Sequence, residues 1–230
     1  MPIMIGSHSF PGIPVILLRR GFTVLAATAA TIAATAYATT PAYAASAGSA
    51  KVSGTTVIFT AGAATKNDVI ITRSGRTVTI DDRVAIKAGA GCTAVSGDKT
   101  KVKCTTKSNP KLVRAALGAG NDRLVNRTAI PTSVTGGTGA DQIYGGSGKN
   151  AIDGGSGDDA LYGGRSADTL LGGAGRDALW GAAGNDVIYG GTGIDNLIGD
   201  AGDDKLYAGP AESTTVRERL NGGSNVTISR

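Results

Sequence analysis

From Gly136 to Tyr207 the chain divides every nine residues without a gap. The copies read GGTGADQIY, GGSGKNAID, GGSGDDALY, GGRSADTLL, GGAGRDALW, GAAGNDVIY, GGTGIDNLI and GDAGDDKLY. A period this short leaves each copy one inward apolar residue, which no single copy can bury. Successive copies must therefore stack on one another as a solenoid. Glycines at the first, second and fourth positions admit positive φ, so we expect the first six residues to make a tight turn with its carbonyl oxygens facing inward. The last three then read as a short strand. Its middle side chain points inward, which places Ile143, Ile152, Leu161, Leu170, Leu179, Ile188, Leu197 and Leu206 in one core. An imperfect earlier copy, LGAGNDRLV from Leu117, precedes a ten-residue spacer, NRTAIPTSVT, one residue longer than the period.

Composition agrees with a repeat scaffold. The 230 residues include 36 Gly but only 3 Phe and 1 Trp, too few for an ordinary aromatic core. Acidic residues are 16 Asp against 2 Glu, and a short carboxylate on a turn is a good ligand for a hard cation. The formal charge of +5 conceals a division: residues 45–116 carry 12 Lys and Arg against 4 Asp, whereas residues 117–207 carry 6 against 12 Asp. The basic part has neither aromatic interleaving nor a nucleic-acid motif, so no nucleic-acid partner is expected.

These copies resemble the haemolysin-type (RTX) calcium-binding repeat, whose pattern is GGxGxDxUx with U apolar. The resemblance implies an all-β fold, a right-handed parallel β-roll with two nonapeptides per turn. Loops 18 residues apart then lie above one another, with calcium between them. It also implies that sixth-position Asp residues and backbone carbonyls of neighbouring loops surround each ion. On that basis Asp141, Asp159, Asp177 and Asp195 form one row, with Asp122 joining if a bulge absorbs the long spacer. Asp168, Asp186 and Asp204 form the other row. The first row keeps every position of the pattern. The second departs in each loop: Asn150 replaces the carboxylate, Ser166 the fourth-position glycine, and Ala182 and Asp200 the second-position glycine. We therefore expect a stronger and a weaker calcium row, with strain wherever a replaced glycine needed positive φ.

Residues 1–44 read as a secretory signal. Arg19 and Arg20 precede a mildly apolar run, and small residues at Ala42 and Ala44 suggest cleavage after Ala44. RRGFTVLAA resembles the twin-arginine export signal. The expected location is extracellular, with no membrane association after cleavage. The only histidine, His8, leaves with the signal, which excludes His-based triads and His-ligated zinc. With no GxSxG elbow in a strand-to-helix context either, we expect no enzyme. Cys92 and Cys104 are expected to pair as a disulfide.

Residues 45–116 contain short β-rich runs, TTVIFTAG, DVIITRSG, TVTIDD and KVKCTT, and read as a small region capping the first coil of the 117–207 roll. Residues 208–230 read as a polar segment followed by a degenerate strand around Val226 and Ile228. Ninth positions on one face, Tyr144, Tyr162 and Trp180, should form an outward aromatic row. The function expected is a secreted calcium-binding protein. The alternative is a calcium-stabilised envelope module that binds wall polymer through the basic region or glycan through the aromatic row.

Overall fold

The computed structural model describes residues 47–63 and 66–209, together with the backbone of 215–217 and 227–229. The export segment at 1–44 lies outside the described residues, as does Val226. All described regular structure is strand. In chain order the strands before the repeats are β1 (Gly48–Ser53), β2 (Thr56–Thr60), β3 (Asp68–Ser74), β4 (Thr77–Asp81), β5 (Ile86–Ala88), β6 (Cys92–Val95) and β7 (Asp98–Thr105). The first long coil and the next follow as β8 (Leu112–Ala119), β9 (Arg123–Asn126), β10 (Thr132–Thr138) and β11 (Gln142–Tyr144). Then come β12 (Asn150–Ser156), β13 (Ala160–Gly164), β14 (Thr169–Ala174) and β15 (Ala178–Ala183). The last are β16 (Val187–Thr192), β17 (Asn196–Ala201), β18 (Lys205–Tyr207), β19 (Thr215–Arg217) and β20 (Thr227–Ser229).

From β8 onward, successive strands alternate between two sheets, and each pairs in parallel with the strand one coil away. Every two repeats therefore complete one coil of a parallel β-solenoid. Sheet A runs β20-β18-β16-β14-β12-β10-β8-β2-β1-β5, and sheet B runs β19-β17-β15-β13-β11-β9-β3-β4-β7-β6. The pairings Ile152↔Leu170↔Ile188 and Leu161↔Leu179↔Leu197 stack the inward residues directly. All eight expected core residues are fully buried.

Strand length differs from the sequence expectation. β14 has the sequence TLLGGA, so it continues past its repeat into the next one's glycines. The turn is correspondingly tighter. The second-position glycine inside the extended segment, Gly173, has φ +109°, so it bends the chain within the ladder instead of ending it. Such a kink favours a residue without Cβ.

The sheets run through 116/117 without a break, since that boundary falls inside β8. β2 and β3 pair in parallel with β8 and β9, and so act as a further coil. Beyond them the pairing is mostly antiparallel, with β1 against β2, β4 against β3 and β7 against β4, while β5 runs parallel to β1. Val57, Phe59, Val69, Ile71, Val78, Ile80 and Val102 continue the same core, so the solenoid's apolar end meets side chains and not water. Cys92 and Cys104 face each other across β6 and β7 and form a disulfide, with Cα atoms 4.0 Å apart. At the other end β20 pairs with β18 and brings Ile228 into register with Leu206. β19 falls in a stretch that composition marks only as polar, and it pairs with β17.

Candidate metal centre

The sixth residue of each repeat stands at or immediately before a strand, where one sheet gives way to the other. Asp122, Asp141, Asp159, Asp177 and Asp195 precede β9, β11, β13, β15 and β17, all in sheet B. They line one edge of the roll. Asp168, Asp186 and Asp204 precede β14, β16 and β18 in sheet A and line the opposite edge, with Asn150 opening β12. Asp122 joins its row without a bulge in its own loop. Gly118 pairs with Gly137 and Arg123 with Gln142, a constant offset through that turn. The spacer's extra residue is accommodated in the opposite connection, between Asn126 and Thr132, where Thr128 and Ile130 are buried.

Each row is tied by a ladder of charge-assisted hydrogen bonds. The backbone N–H of Asp141 donates to Asp159 Oδ1 at 2.8 Å, that of Asp159 to Asp177 Oδ1 at 2.9 Å, and that of Asp177 to Asp195 Oδ1 at 3.0 Å. Asp122 N–H donates to Asp141 Oδ1 at 2.8 Å in the same way. On the other edge, Asp168 N–H reaches Asp186 Oδ1 at 2.7 Å and Asp186 N–H reaches Asp204 Oδ1 at 2.8 Å. These bonds fix one oxygen of every carboxylate. The second oxygen, Oδ2, of all eight aspartates is buried and has no hydrogen-bond partner among the described residues. A buried charged oxygen without a partner is costly, which marks a place for a ligand.

What faces Oδ2 is a second oxygen. A Cβ added to Gly163 would lie 2.6 Å from Asp168 Oδ2 and 2.8 Å from the carbonyl oxygen of Gly181, one coil further on. Gly154, Gly172 and Gly190 are flanked likewise by their own loop's Asp Oδ2 and the next coil's first-position carbonyl. At these four positions a side chain would fill the space between carboxylate and carbonyl, whereas the Asp122 loop carries Leu117 at its first position. Burial pushes the carboxyl pKa of Asp141, Asp168 and Asp177 up to about 6, and of Asp159 and Asp186 up to about 7. Asp122, Asp195 and Asp204 are raised for the same reason. Backbone N–H groups oppose the rise, while the neighbouring aspartates of Asp159 and Asp186 add to it.

A hard cation suits this donor set, which consists of carboxylate and carbonyl oxygens with no nitrogen or sulfur ligand. Among the described residues no three Asp, Glu, His or Cys side chains form a metal-holding group. Each interval between coils would thus draw on backbone carbonyls as well as aspartates.

The two edges differ in backbone. In the first row every second- and fourth-position glycine from Gly118 to Gly193 has positive φ, and fourth-position N–H groups bond regularly to the next coil, as in Gly139 to Ser156 O at 2.7 Å and Gly157 to Ala174 O at 2.8 Å. In the second row, Ala182 and Asp200 hold φ of 78° and 67°, so both replacements occupy the left-handed region as expected. Ser166 corrects that expectation, because neither it nor Gly148 one coil earlier has positive φ. Its loop follows another path, in which Ser166 Oγ donates to Ser147 O at 2.9 Å.

Several contributors carry no signal in the repeat pattern. Asn67 and Asn126 stand at the roll's head, and the fifth-position residues Asn121, Asp158 and Asn185 accept N–H groups from the next coil. The aromatic row forms as expected. Tyr144 and Tyr162 stack with ring centroids 4.5 Å apart, and Tyr162 and Trp180 at 4.4 Å, with planes within 4° of parallel. Arg123 covers the free face of Tyr144, and Trp180 is paired with Ile198. Each ring of the row thus has at least one face against a neighbouring ring.

Four overlapping segments, 133–161, 153–188, 162–197 and 189–210, match the family of the RTX calcium-binding nonapeptide repeat. Comparisons with curated proteins and with solved structures give no significant match. Asp122 lies before the matched span, yet the parallel register carries it into the row. Residues 133–210 are thus RTX calcium-binding nonapeptide repeats, wound into a parallel β-solenoid.

Proposed function

We propose that this is an exported calcium-binding protein whose roll acquires its stability outside the cell from two rows of calcium ions. The observation that carries the reading is the run of eight buried Asp Oδ2 atoms, with a backbone carbonyl of the adjacent coil close beside those of Asp141, Asp159, Asp168, Asp177 and Asp195. Bound calcium would supply the positive charge that lets such oxygens stay buried and close together. The row through Asp122, Asp141, Asp159, Asp177 and Asp195 is the stronger, because its turns repeat one geometry from coil to coil. The row through Asp168, Asp186 and Asp204 is the weaker, because two of its turns hold non-glycine residues at positive φ. The disulfide and the export segment both fit an oxidising, calcium-rich destination.

The test is a calcium titration of the purified protein followed by far-UV circular dichroism and thermal melting. Cooperative gain of β signal, a rise in melting temperature and more than one affinity class are expected. A protein equally folded in chelator that takes up no calcium would overturn the reading.

A further inference from the structure

We propose that the side-chain amides of Asn67 and Asn150 close the two aspartate rows by standing where an ion would otherwise be, so the first interval of each row is metal-free. The inference rests on the calcium reading above and says where the ions stop. Asn150 occupies the sixth position of its loop. A Cβ added to Gly145 would lie 2.7 Å from Asn150 Nδ2 and 2.8 Å from Gly163 O, the same arrangement that Gly163 has with Asp168 Oδ2 and Gly181 O. Nδ2 therefore sits where the other loops carry the partnerless carboxylate oxygen.

The chemistry at that point is inverted. Asn150 Nδ2 donates to Gly163 O at 3.1 Å, to Gly148 O at 2.5 Å and to Asp168 Oδ1 at 3.2 Å. Two carbonyls and a carboxylate of adjacent coils thus converge on N–H groups. Asn150 Oδ1 accepts the hydroxyl of Thr132 at 2.7 Å, which fixes the amide's orientation, since the reverse would set its oxygen against two carbonyls. Asn67 repeats the arrangement on the other edge: its Nδ2 donates to Asp122 Oδ1 at 3.0 Å and to Leu117 O at 3.4 Å, the first-position carbonyl of the next loop. Both backbones continue the ladder as well, Asn67 N–H to Asp122 Oδ1 at 2.6 Å and Asn150 N–H to Asp168 Oδ1 at 2.7 Å. One coil before Asn150, Asn126 Nδ2 donates to Gly145 O at 2.7 Å, again a first-position carbonyl.

A neutral amide meets this oxygen set with hydrogen bonds and needs no counter-charge, whereas a carboxylate there needs a cation. The Asn67–Asp122 interval on one edge and the Asn150–Asp168 interval on the other are consequently joined without calcium, and they give the calcium-dependent part of each row a formed end on which to stack.

The experiment compares the full chain with its N150D and N67D variants at saturating calcium, counting bound ions per chain by atomic absorption after gel filtration, and melts each in chelator. Each variant should bind one ion more than the wild type and melt at a lower temperature in chelator, because a carboxylate then faces carbonyls unaided. If the wild type binds calcium but both variants keep its stoichiometry, the inference is overturned and the calcium reading stands. If the wild type binds none, the calcium reading itself has failed. Should one variant not fold, the other, on the opposite edge, decides alone.

Discussion

Ala182 and Asp200 hold a left-handed backbone that every other second-position residue of the described roll reaches as glycine. Relief of that strain is worth on the order of 1 kcal/mol. Ala182→Gly should raise stability by about that amount in denaturant melts. Gly173→Ala should do the opposite: it combines φ +109° with a Cβ driven into the carbonyl of Gly155, and a loss of roughly 3 kcal/mol is expected. The rows differ by the same logic. Asp159→Ala should weaken calcium binding more than Asp186→Ala in isothermal titration, since Asp159 sits between two regular turns. Protons tell of the same burial. Burial raises the folded pKa of Asp159 and Asp186 to about 7 from 3.8, so in chelator the folded state keeps protons that the unfolded chain has released. Their stabilising effect is therefore fully present below about pH 4 and lost as the pH rises through about 7. Calcium-free protein should melt at a higher temperature at pH 5 than at pH 8.

Strands of this roll are short, and each is held chiefly by its neighbours one coil away. The aromatic row shows how outward residues share that task. Tyr162 is sandwiched between Tyr144 and Trp180, so Tyr162→Ala removes two ring contacts and should cost on the order of 1–2 kcal/mol while leaving the number of bound calcium ions unchanged. Melting and ion counting together check this, because a loss of ions would tie the row to the metal edges. The row was legible once the resemblance implied two nonapeptides per coil, since ninth positions 18 residues apart then superpose. The extension of strands such as β14 through the glycines was not, because glycine in a sequence reads as a turn until stacking shows that second-position glycines such as Gly155, Gly173 and Gly191 are backed by a carbonyl of the preceding coil.

Across the whole molecule, stability should follow a gradient. A stacked array gains its free energy from interfaces between neighbours, so the end that is already formed templates the rest. At the β1–β7 end the disulfide, the antiparallel hairpins and the two asparagines require no ion. Hydrogen exchange in chelator should therefore protect strands β2, β3, β4 and β7 more than β13 to β17, and calcium should level the difference. Equal protection throughout without calcium would contradict the gradient. The period and the inward column from Ile143 to Leu206 were legible in the residues, because a nine-residue repeat leaves a stacked chain few other ways to bury one apolar residue per copy; the two aspartate edges and the odd composition of the second followed from the resemblance, which implied two repeats per coil. The packing of coil on coil settled that Asp122 joins its row, that Ser166 escapes left-handed strain, and that Asn67, Asn126 and Asn150 head the edges. Those outcomes depend on which side of the roll accommodates an extra residue and on which atoms of one coil meet the next. Such contacts join residues 13 to 55 positions apart, and no local pattern encodes them.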